Sequence, residues 1–369
     1  MTKLWLLLFF SLMFAYVIEN RDRRLLNRSN HRERLFTFFL IFMLGTFCGL
    51  RTWYNDTVTY LQMYSQAVPV AEFWASSDAE FASGLGFGLL NSVIKELGFS
   101  SQDYLMMYAF LTVTPYVLFV RKYCPHFMFG VFLMFTTGFY TFTLAAIKQC
   151  MATGICLLAV MAALDKKWVR YILLIGLAFL FHPYSIVYLL VPFLMFRPWT
   201  VRTYIAIILF TAVGFGLDSL IGTILDVTTM IGADYNAASF VGEGVNIFRV
   251  LVAFTPFVLS IPYKNMLFRD TGRTEHLMFN LATVHALLMF VGLFGTANYF
   301  ARLANYFLPA AVVVLPWMLN TLYKRHQLFL KSACVIGYLG YFYFENAIKQ
   351  TFDSHLSQIS LWDYIASHF

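Results

Sequence analysis

Charge is what this sequence has least of: Asp, Glu, Lys and Arg make up 12% of its 369 residues, about half the share of an ordinary soluble chain. Hydrophobic residues reach 60% and aromatics 19%, more apolar surface than one core could hide from water. A water-soluble globule is thereby excluded, and lipid must serve as solvent. Cysteine is scarce too: the five present are odd in number and form no C-x-x-C pair, so neither a disulfide framework nor a zinc site is indicated. Walker, G-x-S-x-G and H-E-x-x-H motifs are absent, which leaves ATP-driven chemistry and serine or zinc hydrolysis without support. No repeat of fixed period is present, which argues against a transporter built from repeats.

What the sequence has is a series of apolar runs long enough to cross a hydrocarbon core about 30 Å thick. The first, Leu4 to Ile18, is followed by Arg21, Arg23, Arg24, Arg28, Arg32 and Arg34. That basic loop belongs in the cytoplasm, so the N-terminus is expected outside, on an uncleaved first helix. Further cytoplasmic segments are expected at 121–126, 165–170, 197–202, 264–275 and 323–331. Outside these, the only basic residues are Lys3, Arg51, Lys95, Lys148, Arg249, Arg302 and Lys349. The formal charge of +7 is thus the mark of a cytoplasmic membrane face and not of nucleic-acid binding.

The resulting expectation is an all-α polytopic membrane protein, a single transmembrane domain over 1–369 with about 12 passes and both termini outside. Its long outer loops are expected at 51–103 and 218–246. Gly86 to Leu97 reads as an interfacial or re-entrant helix too short to span. Tyr171 to Phe181 and Tyr184 to Phe196 flank His182-Pro183, yet basic residues bound both outer ends. They form either two short tilted helices or a re-entrant hairpin with His182 at its tip, a break tolerated only beside protein or a wet cavity.

Four cations, Arg51, Lys148, Arg249 and Arg302, stand at outer helix ends against the positive-inside trend. Together they suit a diphosphate, whose oxygens favour guanidinium forks; singly, each could pair with an outer acid or snorkel to headgroups. Asp56, beside Asn55, is placed to orient a cation, hold an acceptor hydroxyl or act as a base, or to cap the helix that follows. His182 can exchange a proton or bind phosphate, or satisfy carbonyls freed by the break. Arg302, Asn305 and Tyr306 share a helical spacing that could cradle a headgroup. His285 reads as an interhelical hydrogen bond. Asp78-Ala79-Glu80 offers two carboxylates, too few to define a metal site, and no cofactor is indicated.

These residues resemble the EpsG-type polymerases of bacterial exopolysaccharide and capsule synthesis, grouped functionally with Wzy proteins. The likeness lies in Gly49-Leu50-Arg51 with Asn55-Asp56-Thr57 and Tyr60, Gly86-Phe87 with Leu89-Leu90-Asn91, Lys148-Gln149 with Ala152, His182-Pro183 with Ser185, and Arg302 with Tyr306-Phe307. The chain departs in having Lys148 where the family often has Arg, and Ser83-Gly84 where an acid and a proline often precede the Gly-Phe.

The resemblance implies glycosyl transfer between undecaprenyl-diphosphate-linked oligosaccharides on the outer face of the bacterial cytoplasmic membrane, in exopolysaccharide, capsule or O-antigen assembly. Arg51, Lys148, Arg302 and Arg249 would bind the diphosphate, with Asn55, Gln149, Asn305 and Tyr306 as further substrate contacts. His182 or Asp56 would position or deprotonate the acceptor hydroxyl. Membrane lipids, a chain-length regulator and other assembly proteins are the implied partners. A lipid-linked oligosaccharide flippase and a polysaccharide ligase are the alternatives.

Overall fold

Apolar runs surrounded by lipid become helices because a helix satisfies its backbone groups within one segment. The computed structural model describes residues 1–24, 31–76, 84–230, 244–294, 297–322 and 324–368, and these are overwhelmingly helical. Helices α1 (Thr2–Arg24) and α2 (His31–Gly49) lead to strand β1 (Arg51–Trp53), then α3 (Thr57–Ser65), α4 (Val70–Ser76) and α5 (Leu85–Glu96). Next come α6 (Ser101–Tyr123), α7 (Phe127–Thr136), α8 (Phe139–Ala145), α9 (Ile147–Leu164), α10 (Trp168–Phe181) and a 3-10 helix over Pro183–Leu194. The second half holds α11 (Val201–Phe215), α12 (Leu217–Met230), α13 (Ile247–Leu267), α14 (Arg273–Val291), α15 (Ala297–Asn305) and α16 (Leu308–Thr321). It closes with α17 (Lys324–Tyr343), a π-helical turn (Phe344–Lys349), α18 (Phe352–His355), strand β2 (Ser357–Gln358) and α19 (Leu361–Ala366).

Among the described residues, five helices (α1, α6, α9, α13 and α14) are long and apolar enough to cross a membrane, or up to eight if each bent pair is one span. Gly45 and Gly49 form a small-xxx-small edge on α2. A Cβ there would lie 2.6 Å from the Phe110 ring and 2.8 Å from the Met106 Cα, so bare backbone lets α2 press on α6 as small residues do in membrane bundles.

Side-chain contacts sort the chain into two ends. At one end the Met1 amine pairs with Asp353, β1 runs antiparallel to β2, and the Tyr364 hydroxyl donates to Asp103 at 2.6 Å. Both termini therefore lie beside β1. At the other, His126 bridges Glu19 (3.1 Å) and Asn320 (2.7 Å), Lys122 meets Asp165 at 3.4 Å, and Arg121 pairs with Glu33. Those residues come from, or border, the basic segments that the sequence reading expects on the cytoplasmic side.

The segment around His182 folds back on itself as a hairpin of α10 and the 3-10 helix. The Tyr171 hydroxyl on α10 donates to the Tyr188 carbonyl in the 3-10 helix. Asn280, seven residues into α14, donates to the carbonyls of Leu194 (2.7 Å) and Phe196 (2.8 Å), so the returning limb ends near the level where α10 began. Pro183 opens that limb and Pro192 lies within it; each lacks the N–H an α-helix would use.

Two elements differ from the sequence expectation. The loop expected at 218–246 begins as helix α12, because Leu217, Leu220, Ile221, Ile224 and Leu225 recur at helical spacing even with Asp226 among them. Arg302, expected at a helix end, lies inside α15, which meets α16 at a 53° bend where Pro309 removes a backbone donor at the head of α16. Helices α7 and α8 bend by 48° at Gly138, whose φ of +82° favours glycine. Arg28, Asp78, Glu80, Ser83, Asp234 and Glu243 lie outside the described residues.

Candidate active site

A cavity of about 580 Å³ lies between the two bends, bounded by Thr137, Gly138 and Thr141 on one side and by Arg302, Asn305 and Leu308 on the other. Tyr54, Asn55, Asp56 and Gln350 line it at the end that carries both termini, and His285 and Ala253 line it from α14 and α13. Non-helical backbone at membrane depth needs protein or a wet cavity beside it, and both bends meet that condition here.

Two ion pairs face this space, and they differ. Arg302 reaches Asp56 at 3.6 Å, with both side chains 42% exposed. Arg249 holds Glu345 through Nε at 3.1 Å and more closely through Nη2, and the Glu345 side chain is only 7% exposed. Glu345 also accepts from Gln350 (2.9 Å), whose own oxygen accepts from the Tyr54 hydroxyl (3.0 Å). Burial, followed by the Glu345 charge, pushes the Tyr54 phenol well above its ordinary pKa, which keeps it a donor in this chain. Arg249 is thus committed to a buried partner, whereas the loosely paired Arg302 has charge to offer an anion.

Asn55 has a φ of 43°, a left-handed turn that Asn tolerates better than most residues. The turn sets Asp56 ahead of α3, but the Asp56 side chain makes no cap hydrogen bond and pairs with Arg302 instead. Arg51 builds the turn from behind. It is buried, 1% exposed, and donates to the Cys48 carbonyl (2.6 Å) and, through Nε, to the Thr57 hydroxyl (3.2 Å). Arg51 therefore fastens the end of α2 to the start of α3 and does not line the cavity.

Behind Arg302, three elements hold the end of α15. Helix ends leave carbonyls without intrahelical partners, and buried side chains supply them here. Gln149 of α9 donates to the Arg302 carbonyl, His285 of α14 to that of Ala304 at 2.8 Å, and Tyr188 to that of Tyr306. The Tyr306 hydroxyl meets His182 Nδ1 at 3.0 Å. Lys148 extends its ammonium over the Phe87 ring of α5, 4.7 Å from the centroid. Gly86 brings α5 onto the hairpin tip, where a Cβ would lie 2.8 Å from that of Leu180.

The expected site residues thus divide. Asn55, Asp56, Arg249, Arg302 and Asn305 line the cavity; Lys148, Gln149, His182 and Tyr306 gather around the α9, α10 and α15 ends; Arg51 belongs to neither set. Glu345, Gln350 and Tyr54 were not singled out from sequence. An acid just past the end of an apolar helix, as Glu345 is in the π-helical turn after α17, is the signal that could have found the first. Among the described residues no three His, Cys, Asp or Glu side chains converge as a metal site would require.

A model of the EpsG family matches residues 34–364 of the 369. No curated protein and no solved structure matches the chain.

Proposed function

The chain belongs to the EpsG family, and from that premise we propose that it polymerises undecaprenyl-diphosphate-linked oligosaccharide units by glycosyl transfer. The end bearing both termini and the cavity faces outward from the bacterial cytoplasmic membrane. The eight spans above, with α2 and α17 added, give ten crossings, and these with the re-entrant pair make up the 12 passes. The growing glycan leaves its lipid diphosphate carrier and joins a hydroxyl of the next lipid-linked unit, in exopolysaccharide, capsule or O-antigen assembly.

The observation that carries this reading is Arg302: a half-exposed cation on the cavity wall, held only loosely by Asp56. The leaving diphosphate gains negative charge in the transition state, and a fixed cation beside it lowers the barrier. Lys148 and His182 support the same anion. The Tyr306 phenol is buried, and His182 Nδ1 is its hydrogen-bond partner among the described residues. Its proton is assigned to Nδ1, which puts the imidazole proton on Nε2, a donor suited to phosphate oxygen. When phosphate takes Arg302, the Asp56 carboxylate is released to hold the acceptor hydroxyl, with Asn55 and Asn305 beside it. Arg249 acts with Glu345 as a wall of the sugar site, and Gln149 and Tyr306 hold Arg302 and His182 in place.

The test is deletion of the gene followed by mass spectrometry of the lipid-linked glycans. Single units accumulating on the outer leaflet, with loss of polymer, are expected. Units trapped on the cytoplasmic leaflet would make the protein a flippase, and intact polymer left unattached to its final acceptor would make it a ligase.

A further inference from the structure

We propose that His285 is the proton acceptor for the attacking hydroxyl; this rests on the polymerase reading above. His285 lies inside α14, six residues from Val291 at the cavity end, which places it about 9 Å along the axis from that end. It is buried and yet lines the cavity.

Its tautomer follows from its partner. The Ala304 carbonyl 2.8 Å from Nδ1 can only accept, so Nδ1 carries the ring proton and Nε2 carries the lone pair. Among the described residues no hydrogen bond engages Nε2. His182 has the opposite arrangement, its Nδ1 taken by a phenol and its proton on Nε2. The two histidines therefore divide the work: one offers N–H to an anion, the other a lone pair to a hydroxyl. Asp56 is less suited to the proton, because a carboxylate is ordinarily a weaker base than a neutral imidazole; once Arg302 turns to phosphate, its half-exposed carboxylate holds the acceptor hydroxyl instead.

In the step itself, Nε2 takes the proton as the acceptor oxygen bonds to the anomeric carbon of the donor. The bond from that carbon to the diphosphate oxygen breaks, and its electron pair leaves with the lipid diphosphate. The imidazolium then releases its proton to water. The same bond to Ala304 orients the ring, because it fastens His285 to the helix that carries Arg302. Chemistry and cation are thus held in one rigid frame.

A purely structural role would require only the Nδ1 donor, and that can be kept. Asparagine places an amide N–H close to the position of Nδ1 but has nothing at Nε2. The experiment uses the purified full-length protein in lipid nanodiscs with synthetic diphosphate-linked repeat units, comparing wild type, His285→Asn, His285→Ala and Asp56→Asn. Wild-type polymer is the check on the underlying reading; its absence would refute the polymerase assignment. Given that polymer, we expect His285→Asn to melt as the wild type does and to bind the lipid-linked unit equally, with kcat lowered at least 100-fold. Wild-type kcat in His285→Asn would overturn the proposal, as would a loss in His285→Asn that merely tracks a fall in melting temperature. Loss in Asp56→Asn with His285→Asn active would move the proton to Asp56.

Discussion

Replacing Arg302 and Arg249 by alanine in turn removes the same side chain from two walls of one cavity, and the structure assigns the two losses different outcomes. The Arg302–Asp56 contact spans 3.6 Å between side chains 42% exposed, and an ion pair that open to solvent contributes less than about 1 kcal/mol to folding. Arg302→Ala should therefore melt close to the wild type. Its cost should fall on the reaction, because losing one fixed group that stabilises developing charge slows such steps by about 10²- to 10³-fold, or ~3–4 kcal/mol. Arg302→Lys keeps the charge without the fork and should recover part of the rate. Arg249→Ala is the opposite case. It would strand Glu345, only 7% exposed, and an unpaired buried carboxylate costs about 3–5 kcal/mol. Destabilisation should come first, and Glu345→Gln in the same chain should relieve part of it. Melting temperatures and initial polymerisation rates of the purified variants, measured together, test the contrast. Arg302→Ala at wild-type rate, or Arg249→Ala at wild-type melting temperature, would refute the reasoning.

Arg51→Ala should lower both stability and rate, since it strips the donors from the Cys48 carbonyl and the Thr57 hydroxyl at a cost of about 1–3 kcal/mol and frees the turn that carries Asp56; thermal melting read alongside polymer length would check it. Gly86→Ala should slow polymerisation by driving a Cβ to 2.8 Å from that of Leu180, an overpacking worth about 1–3 kcal/mol only two residues from His182. Gly84→Ala, with open space around it, serves as the silent control in the same rate assay. The His368 imidazole is pushed up by the Tyr364 carbonyl first and by its bond to Asp103. A raised basic group stabilises fully below its unfolded value, about 6.5, and loses that contribution as pH climbs through the folded one. Hydrogen-exchange protection of residues 360–368 should accordingly fall from pH 6 to pH 8.5, and His368→Ala should remove most of that dependence.

Lipid as solvent, the helical class, the segregation of basic residues to one end and the break at His182 were all legible in the sequence. Each is set by local composition: a run of about 20 apolar residues, a string of arginines after Ile18 and a proline that cannot donate act on their own neighbourhoods whatever the rest of the chain does. The helices expected after Asp56 and from Gly86 appear as α3 and α5 for the same reason. Spacing could not separate Arg51, Lys148, Arg249 and Arg302, because what distinguishes them is who meets them. Arg249 finds its carboxylate 96 residues away, and Arg51 sinks behind a turn instead of facing the cavity. His285 reads in the sequence as one more interhelical hydrogen bond, and it makes that bond; only packing could show that it also lines a cavity shared with Arg302. Burial and partnership between distant segments decide whether a charge is spent on structure or left for a ligand, and those are properties of the assembled helices, not of any stretch of chain.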